Sequence, residues 1–470
     1  MEVQAESANV NEPARWWESH RQKWSQSPYS DPMTRPKAKT QKPTTALLAF
    51  VCALTLFVAV GASPGAQSPD ASVRRVLDSA QFKQAVTILD RDHDRMVADI
   101  ITLTEIPAPP FKEEKRGAAF LAMLRAEGLT NVEQDAEGNV MGVRKGTGGG
   151  PLVAVAAHLD TVFPEGTDVR VKRAGTRLSA PGIGDDTRSL AVLLAVIRAM
   201  NEARVTTASD ILFVGNVGEE GPGDLRGMKH LFLKGKYKDQ IKTFISIDGT
   251  GSGASITNGA TGSKRYRVTF TGPGGHSYGD FGIVSPAFAM GNAIQKFSRM
   301  AVPASPKTTF TVGIVTGGTS VNSIPASVSM DVDMRSESPA ELAKLEKTFL
   351  ALMEQAVSEE NAARSTKKGN VAVDLKVIGD RPSGQTPATS PLVTTAAAAI
   401  RALGLTPTLS YSSTDSNIPI SLGIPAITLD SGGSGDDAHA PTEWIDVEKG
   451  ASLKGVTIAL AILLAVTGST

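Results

Sequence analysis

Leu152-Val-Ala-Val-Ala-Ala-His-Leu-Asp160 is the stretch on which the fold turns. Residues 152–157 form a short unbroken apolar run, the pattern of a strand buried on both faces. It ends on His158, with Asp160 two residues on. Other segments repeat the design. Ile211–Val217 runs into Glu219-Glu220, and Phe244–Ile247 runs into Asp248. Pro425–Leu429 leads through a glycine-rich loop to His439. Ser189–Ala203 and Pro391–Leu403, rich in Leu, Val and Ala, read as helices between them. Apolar strands alternating with helices specify an α/β sheet. In open sheets of this kind ligands bind outside the carboxyl ends of the strands. Acids and histidines at several such ends therefore predict one shared site.

The pattern changes near residue 263. Arg265–Phe270, Thr309–Val315 and Ser327–Met334 alternate as half-exposed strands do, and Val371–Val377 is a last strand. Ser285-Pro286 and Ser338-Pro-Ala-Glu341 open two helices among them. The order is βαββαβ, the ferredoxin-like split unit. Residues 263–377 thus read as an α+β domain inserted into the α/β one, whose parts are 80–262 and 378–470. The apolar run Val456–Val466 is short for a bilayer crossing and reads as a buried terminal helix.

Lysine plus arginine and aspartate plus glutamate both number 48, which argues against a nucleic-acid footprint. Cys52 is the only cysteine, so any metal must be held by histidine and carboxylates. Thr45–Ala62 is apolar and uncharged, follows Lys37, Lys39 and Lys42, and ends in small residues. This is the pattern of a secretory signal over 33–62, and it predicts a secreted or periplasmic protein; an N-terminal membrane anchor is the alternative. Once the signal is removed, no membrane association is expected. Residues 1–32 read as a non-native extension before a start at Met33, and 63–79 as a linker.

The candidate chemistry lies at the strand ends. In a strand, residues i and i+2 point the same way, so Asp160 can accept a hydrogen bond from one nitrogen of His158 while the other binds metal. Asp185-Asp186 follows Pro181-Gly-Ile-Gly184 and reads either as a helix N-cap or as a bridge between two cations. The glycines lack the lysine and spacing of a phosphate loop. Glu219-Glu220 reads as a solvated acidic turn, or as one metal ligand beside one acid facing bound water. Adjacent carboxylates raise each other's pKa unless a cation is near. His20, His93 and His230 match no motif and read as surface residues.

Taken in order, His158-Leu-Asp-Thr-Val, Gly182-Ile-Gly-Asp-Asp, Gly218-Glu-Glu-Gly, Ile247-Asp-Gly, Gly274-Gly-His-Ser and His439-Ala-Pro-Thr-Glu resemble the co-catalytic zinc peptidases and amidohydrolases. That family includes carboxypeptidase G, tripeptide aminopeptidase, aminoacylase and succinyl-diaminopimelate desuccinylase. The resemblance runs from about residue 95 to 466. It implies a mixed central sheet flanked by helices and a lid that also serves dimerisation. It implies two zinc ions, with cobalt or manganese as substitutes. His158 and Asp248 would hold one ion, Glu220 and His439 the other, and Asp185 would bridge them across a cis peptide to Asp186. Glu219 would be the general base, and Asp160 would support His158 from behind. From the lid, His276 would donate to the oxyanion, and Asn322 and Arg335 would meet substrate. Arg335 also reads as a salt bridge to Asp331 or Asp333.

The implied activity is hydrolysis of small peptides as an exopeptidase. The alternatives are hydrolysis of N-acyl amino acids, or non-catalytic peptide binding on the same scaffold. A homodimer through the lid is implied as well. Thr187-Arg188 stands where many relatives have Lys-Gly, and the third ligand is Asp248 rather than the Glu of carboxypeptidase G. Ser413-Thr-Asp-Ser-Asn417 lines the returning strand and is expected to meet substrate, without an assigned role.

Overall fold

A computed structural model describes residues 68–469. The extension and signal assigned to 1–62, with Cys52, lie outside the described residues, as does the start of the linker.

Nine strands form the larger sheet. Its centre is parallel, in the order Ile211–Asn216, Leu152–His158, Ile241–Ile247 and Ala426–Leu429. Antiparallel strands flank this centre, with Val140–Arg144 on one side and Ser255–Ala260 on the other, so the sheet is mixed. The unbroken apolar runs are explained by the pleat. Val153 and Val155 face one core with Ile211 and Phe213. Ala154 and Ala156 face the opposite core with Leu212 and Val214. Both faces are covered, so no position in the run can be polar.

Helices Arg188–Glu202, Pro391–Ala402 and Lys449–Thr467 cover the first face, and Arg226–Leu233 covers the second. Lys449–Thr467 is long and apolar enough to cross a membrane, but Val456, Leu460 and Leu464 are buried in the core. Gly215 lets helix Glu114–Ala126 approach the sheet; a Cβ there would stand 2.7 Å from the Phe120 ring.

Two expectations need correction. Within the stretch read as a linker, Pro69–Asp78 is a helix, capped by Ser68 and started by proline. Its Val73 and Val76 join the main core with Leu77 packed against it, and these apolar residues, split by Arg74 and Arg75, made too short a run to show a period. His93 is buried at 7% exposure, not a surface residue.

The smaller sheet has the order Thr308–Gly317, Ser327–Ser336, Gly262–Thr271, Ala372–Arg381, antiparallel throughout. Helices Pro286–Ser298 and Pro339–Ala363 pack on one face around Phe270, Phe297, Met330 and Phe349. This is the βαββαβ unit. Its last strand continues to Arg381, four residues past the expected end at 377. Chain enters this unit at Thr261 and leaves it at Pro382, and Asn417 Nδ2 donates to both carbonyls, at 2.9 and 3.0 Å.

Candidate metal centre

Register brings the predicted ligands together. His158 is the last residue of its strand and lies level with Asn216 on the neighbouring one, so Glu219-Glu220 begins just beyond. Asp248 follows the strand on the other side, where Ala156 is level with Ser246. Asp185 lies in the turn Ile183–Thr187 that starts helix Arg188–Glu202, and the Asp185–Asp186 peptide is cis. His439 arrives on the loop after Ser434–Asp436.

Asp185 stands between two imidazoles. Its Oδ1 is 3.0 Å from His158 Nε2 and its Oδ2 is 3.1 Å from His439 Nε2. Glu220 Oε1 is 2.9 Å from the same nitrogen of His439, and Asp248 Oδ1 is 3.9 Å from His158 Nε2. The cluster therefore has two halves, His158 with Asp248 and His439 with Glu220, joined by one carboxylate. His439 sits at φ +67°, a left-handed conformation that a non-glycine residue keeps only where its surroundings hold it. Asp186 also comes within 4.8 Å of the ligand atoms of His158 and Asp248. Both of its oxygens are already used, accepting the backbone N–H groups of His158 and Gly249 at 3.0 and 3.3 Å.

Asp160 is behind His158, but not as expected. The nearest acceptor to His158 Nδ1 is the Asp160 backbone carbonyl at 3.1 Å, with the carboxylate at 3.6 Å. A proton on Nδ1 leaves the Nε2 lone pair facing the cluster. The Asp160 carboxylate instead accepts the backbone N–H groups of Glu219 and Glu220, at 3.0 and 2.8 Å. It holds the turn that carries those two acids.

The charge balance is that of a cation site. Burial, with the neighbouring carboxylates, raises Asp248 well above the ordinary aspartate range. Burial pushes Glu219 up to about 8, with Glu220 adding to the rise and Arg381 opposing it. Hydrogen bonds to Asp185 and Glu220 raise His439 to about 10. Carboxylates and imidazoles converge here with too little positive charge, and two divalent cations fit that donor set.

Sequence reading missed two residues. Glu443 accepts the N–H groups of Gly182, Gly184 and Asp185, at 2.7, 2.7 and 2.9 Å. One loop thus supplies His439 and the clamp on Asp185; the only signal was a fifth residue in the His439 motif. Arg381 Nη1 donates to Glu219 Oε1 at 3.1 Å, and no local pattern marked it. Residues 414–417 are buried beside them, with Asp415 Oδ1 accepting from Asn216 at 2.9 Å.

The lid residues lie apart from the cluster. His276 and Asn322 belong to one small ribbon, where His276 pairs with Ser323 and Ser277 N–H donates to the Asn322 carbonyl at 3.0 Å. His276 Nδ1 accepts the N–H groups of Tyr278 and Gly279, both at 3.2 Å, which leaves Nε2 as its donor. Arg335 pairs with Asp333 at 2.7 Å. Among the described residues, no hydrogen bond or ion pair joins His276, Asn322 or Arg335 to the metal cluster.

The sequence profile of Peptidase family M20/M25/M40 matches residues 154–465. The chain belongs to this family. Its relatives include carboxypeptidase G2 of Pseudomonas sp. (strain RS-16), 26% identical over 206 residues, 42% of this chain and 47% of that protein. The chain spans about half the length of the first curated relatives it matches. Solved structures share the M20 fold across most of the chain. Aminopeptidase PepT from Bacillus cereus aligns with a TM-score of 0.65 at 22% identity, covering 80% of this chain and 98% of that one. A dinuclear metal binding peptidase of the M20 family from Bacillus subtilis aligns with a TM-score of 0.59 at 17% identity, covering 80% and 99%.

Proposed function

We propose that this protein is a two-zinc exopeptidase that hydrolyses amide bonds of small peptides. The observation that carries the reading is Asp185 reaching two imidazoles at once, with Glu219 beside ligand Glu220. His158, Asp248 and Asp185 would hold one cation, and His439, Glu220 and Asp185 the other. Bound there, the cations would lower the pKa of a water and polarise an amide carbonyl. Glu219 binds neither half in this assignment, so it is free to take a proton from that water and return it to the leaving amine. Asp160 and Glu443 fix the two turns from which these groups project.

His276, Asn322 and Arg335 would complete the site from the small domain as it closes over a short substrate. A homodimer through that domain is part of this reading. Support comes from its edge strand Thr308–Gly317, whose outer side pairs with no strand among the described residues and where Ile314 and Val315 are exposed. Secretion is also part of it, supported by the charged, apolar, small-residue order of residues 33–62.

The test is a hydrolysis screen over di- and tripeptides with free and blocked ends and over N-acyl amino acids, with and without chelator, alongside metal analysis. Chelator-sensitive cleavage of free-ended peptides is expected, with two metal ions per chain. Cleavage of N-acyl amino acids alone would move the protein to the amidohydrolase reading. No cleavage by fully loaded protein would leave peptide binding.

A further inference from the structure

Arg381 is the last residue of the strand by which the chain leaves the small domain. Its side chain is turned into the larger domain and is 5% exposed. There Nη1 donates to Glu219 Oε1 at 3.1 Å and to Ser413 Oγ at 3.1 Å. Nη2 donates to the Glu219 backbone carbonyl. Among the described residues Arg381 is the sole hydrogen-bond partner of the Glu219 carboxylate, and it takes one oxygen only.

Two more contacts run from the same small sheet to the same loop. Arg265 Nη1 donates to the Gly221 carbonyl at 3.1 Å. The Asp380 backbone N–H meets both oxygens of Asp224 at 3.0 Å. Residues 219–224 are thus held from above by the strands that enter and leave the small domain.

A glutamate side chain turns about three torsions, and an acid that transfers protons must be held in one orientation. A forked guanidinium that binds both the carboxylate and the carbonyl of one residue does this, whereas an ammonium does so less well. We propose that Arg381 is a positioning residue: it sets the orientation of the Glu219 carboxylate and ties it to the outgoing strand of the small domain. This rests on Glu219 being the base, and it adds the part that aims it.

The experiment uses full-length Arg381→Ala and Arg381→Lys with trialanine as substrate. Metal content, melting and peptide-resolved hydrogen exchange are measured on the same preparations. Arg381→Ala is expected to lower kcat about 100-fold, with KM within about twofold and metal content unchanged. Exchange should quicken at residues 217–224 and not elsewhere. Added guanidinium should restore part of the lost turnover, and Arg381→Lys should fall between. Should Arg381→Ala fail to fold, Arg381→Lys alone is read in the same way, with lowered kcat at unchanged KM expected.

Three kinetic results overturn the proposal: wild-type kcat, a raised KM with kcat intact, or loss of kcat only in proportion to lost metal or folded protein. Unchanged exchange at 217–224 overturns it whatever the substrate. Glu219→Gln separates the two ideas. If that variant keeps wild-type turnover, the base assignment falls. If it is inactive while Arg381→Ala is normal, only the role of Arg381 falls.

Discussion

Glu443 accepts the backbone N–H of Asp185 at 2.9 Å, so the loop that delivers His439 also fixes the turn that delivers the carboxylate lying between the two imidazoles. Gly182 and Gly184 donate to the same side chain. Three N–H donors aimed at one carboxyl leave no room for a donor in its place. Glu443→Gln should therefore displace the Asp185 turn and weaken metal binding roughly 10- to 100-fold. A competition titration against a chelator measures this. Wild-type affinity would show that the turn holds itself.

Glu219→Gln keeps the size of the side chain and its contact with Arg381 while removing the proposed base. Because His158, Asp185, Glu220, Asp248 and His439 are untouched, metal stoichiometry should stay at the wild-type value. Turnover should fall roughly 10²- to 10⁴-fold, the usual worth of a positioned proton acceptor. Metal loss in parallel with activity would instead make Glu219 a ligand, an outcome its proximity to His158 and Glu220 leaves open to test.

Asp160→Asn should cost stability rather than affinity alone. Both carboxylate oxygens are occupied by N–H groups of Glu219 and Glu220 in a fully buried place. An amide offers one oxygen and sets its NH₂ against the other donor, leaving a buried N–H without a partner. The penalty is about 1–3 kcal/mol. Urea unfolding in the presence of chelator reads it directly, and an unchanged midpoint would refute the argument.

What the sequence showed follows from which interactions are local. His158, Glu219-Glu220 and Asp248 each follow an apolar run directly, so strand periodicity and one rule about carboxyl ends placed them together. The ferredoxin-like unit was legible because alternation and helix starts are also local. Arg381 and Glu443 were not, because what matters about them is a contact across 162 and 258 residues of chain. Asp160 shows the intermediate case. Its position at i+2 was readable, but its carboxylate went to two N–H groups that only the fold brings near. His93 was misread because one histidine in an amphipathic helix carries no sign of which side it faces.

That misread histidine carries a prediction about pH. His93 starts helix His93–Thr104, is 7% exposed, and its Nε2 has no hydrogen-bond partner among the described residues. Burial lowers its pKa below the ordinary 6.5, against a smaller opposing pull from Asp94. The positive end of the helix also disfavours a proton there. Below pH 6.5 the unfolded chain therefore binds a proton that the folded chain refuses. The stability tied to His93 is full above that pH and is lost as pH falls through the lowered folded value. His93→Leu removes the term. Urea midpoints for chelated protein at about pH 7.5 and about pH 5.5 bracket the window. Wild type should lose more stability across it than His93→Leu. Equal losses would mean that His93 takes up its proton as easily folded as unfolded.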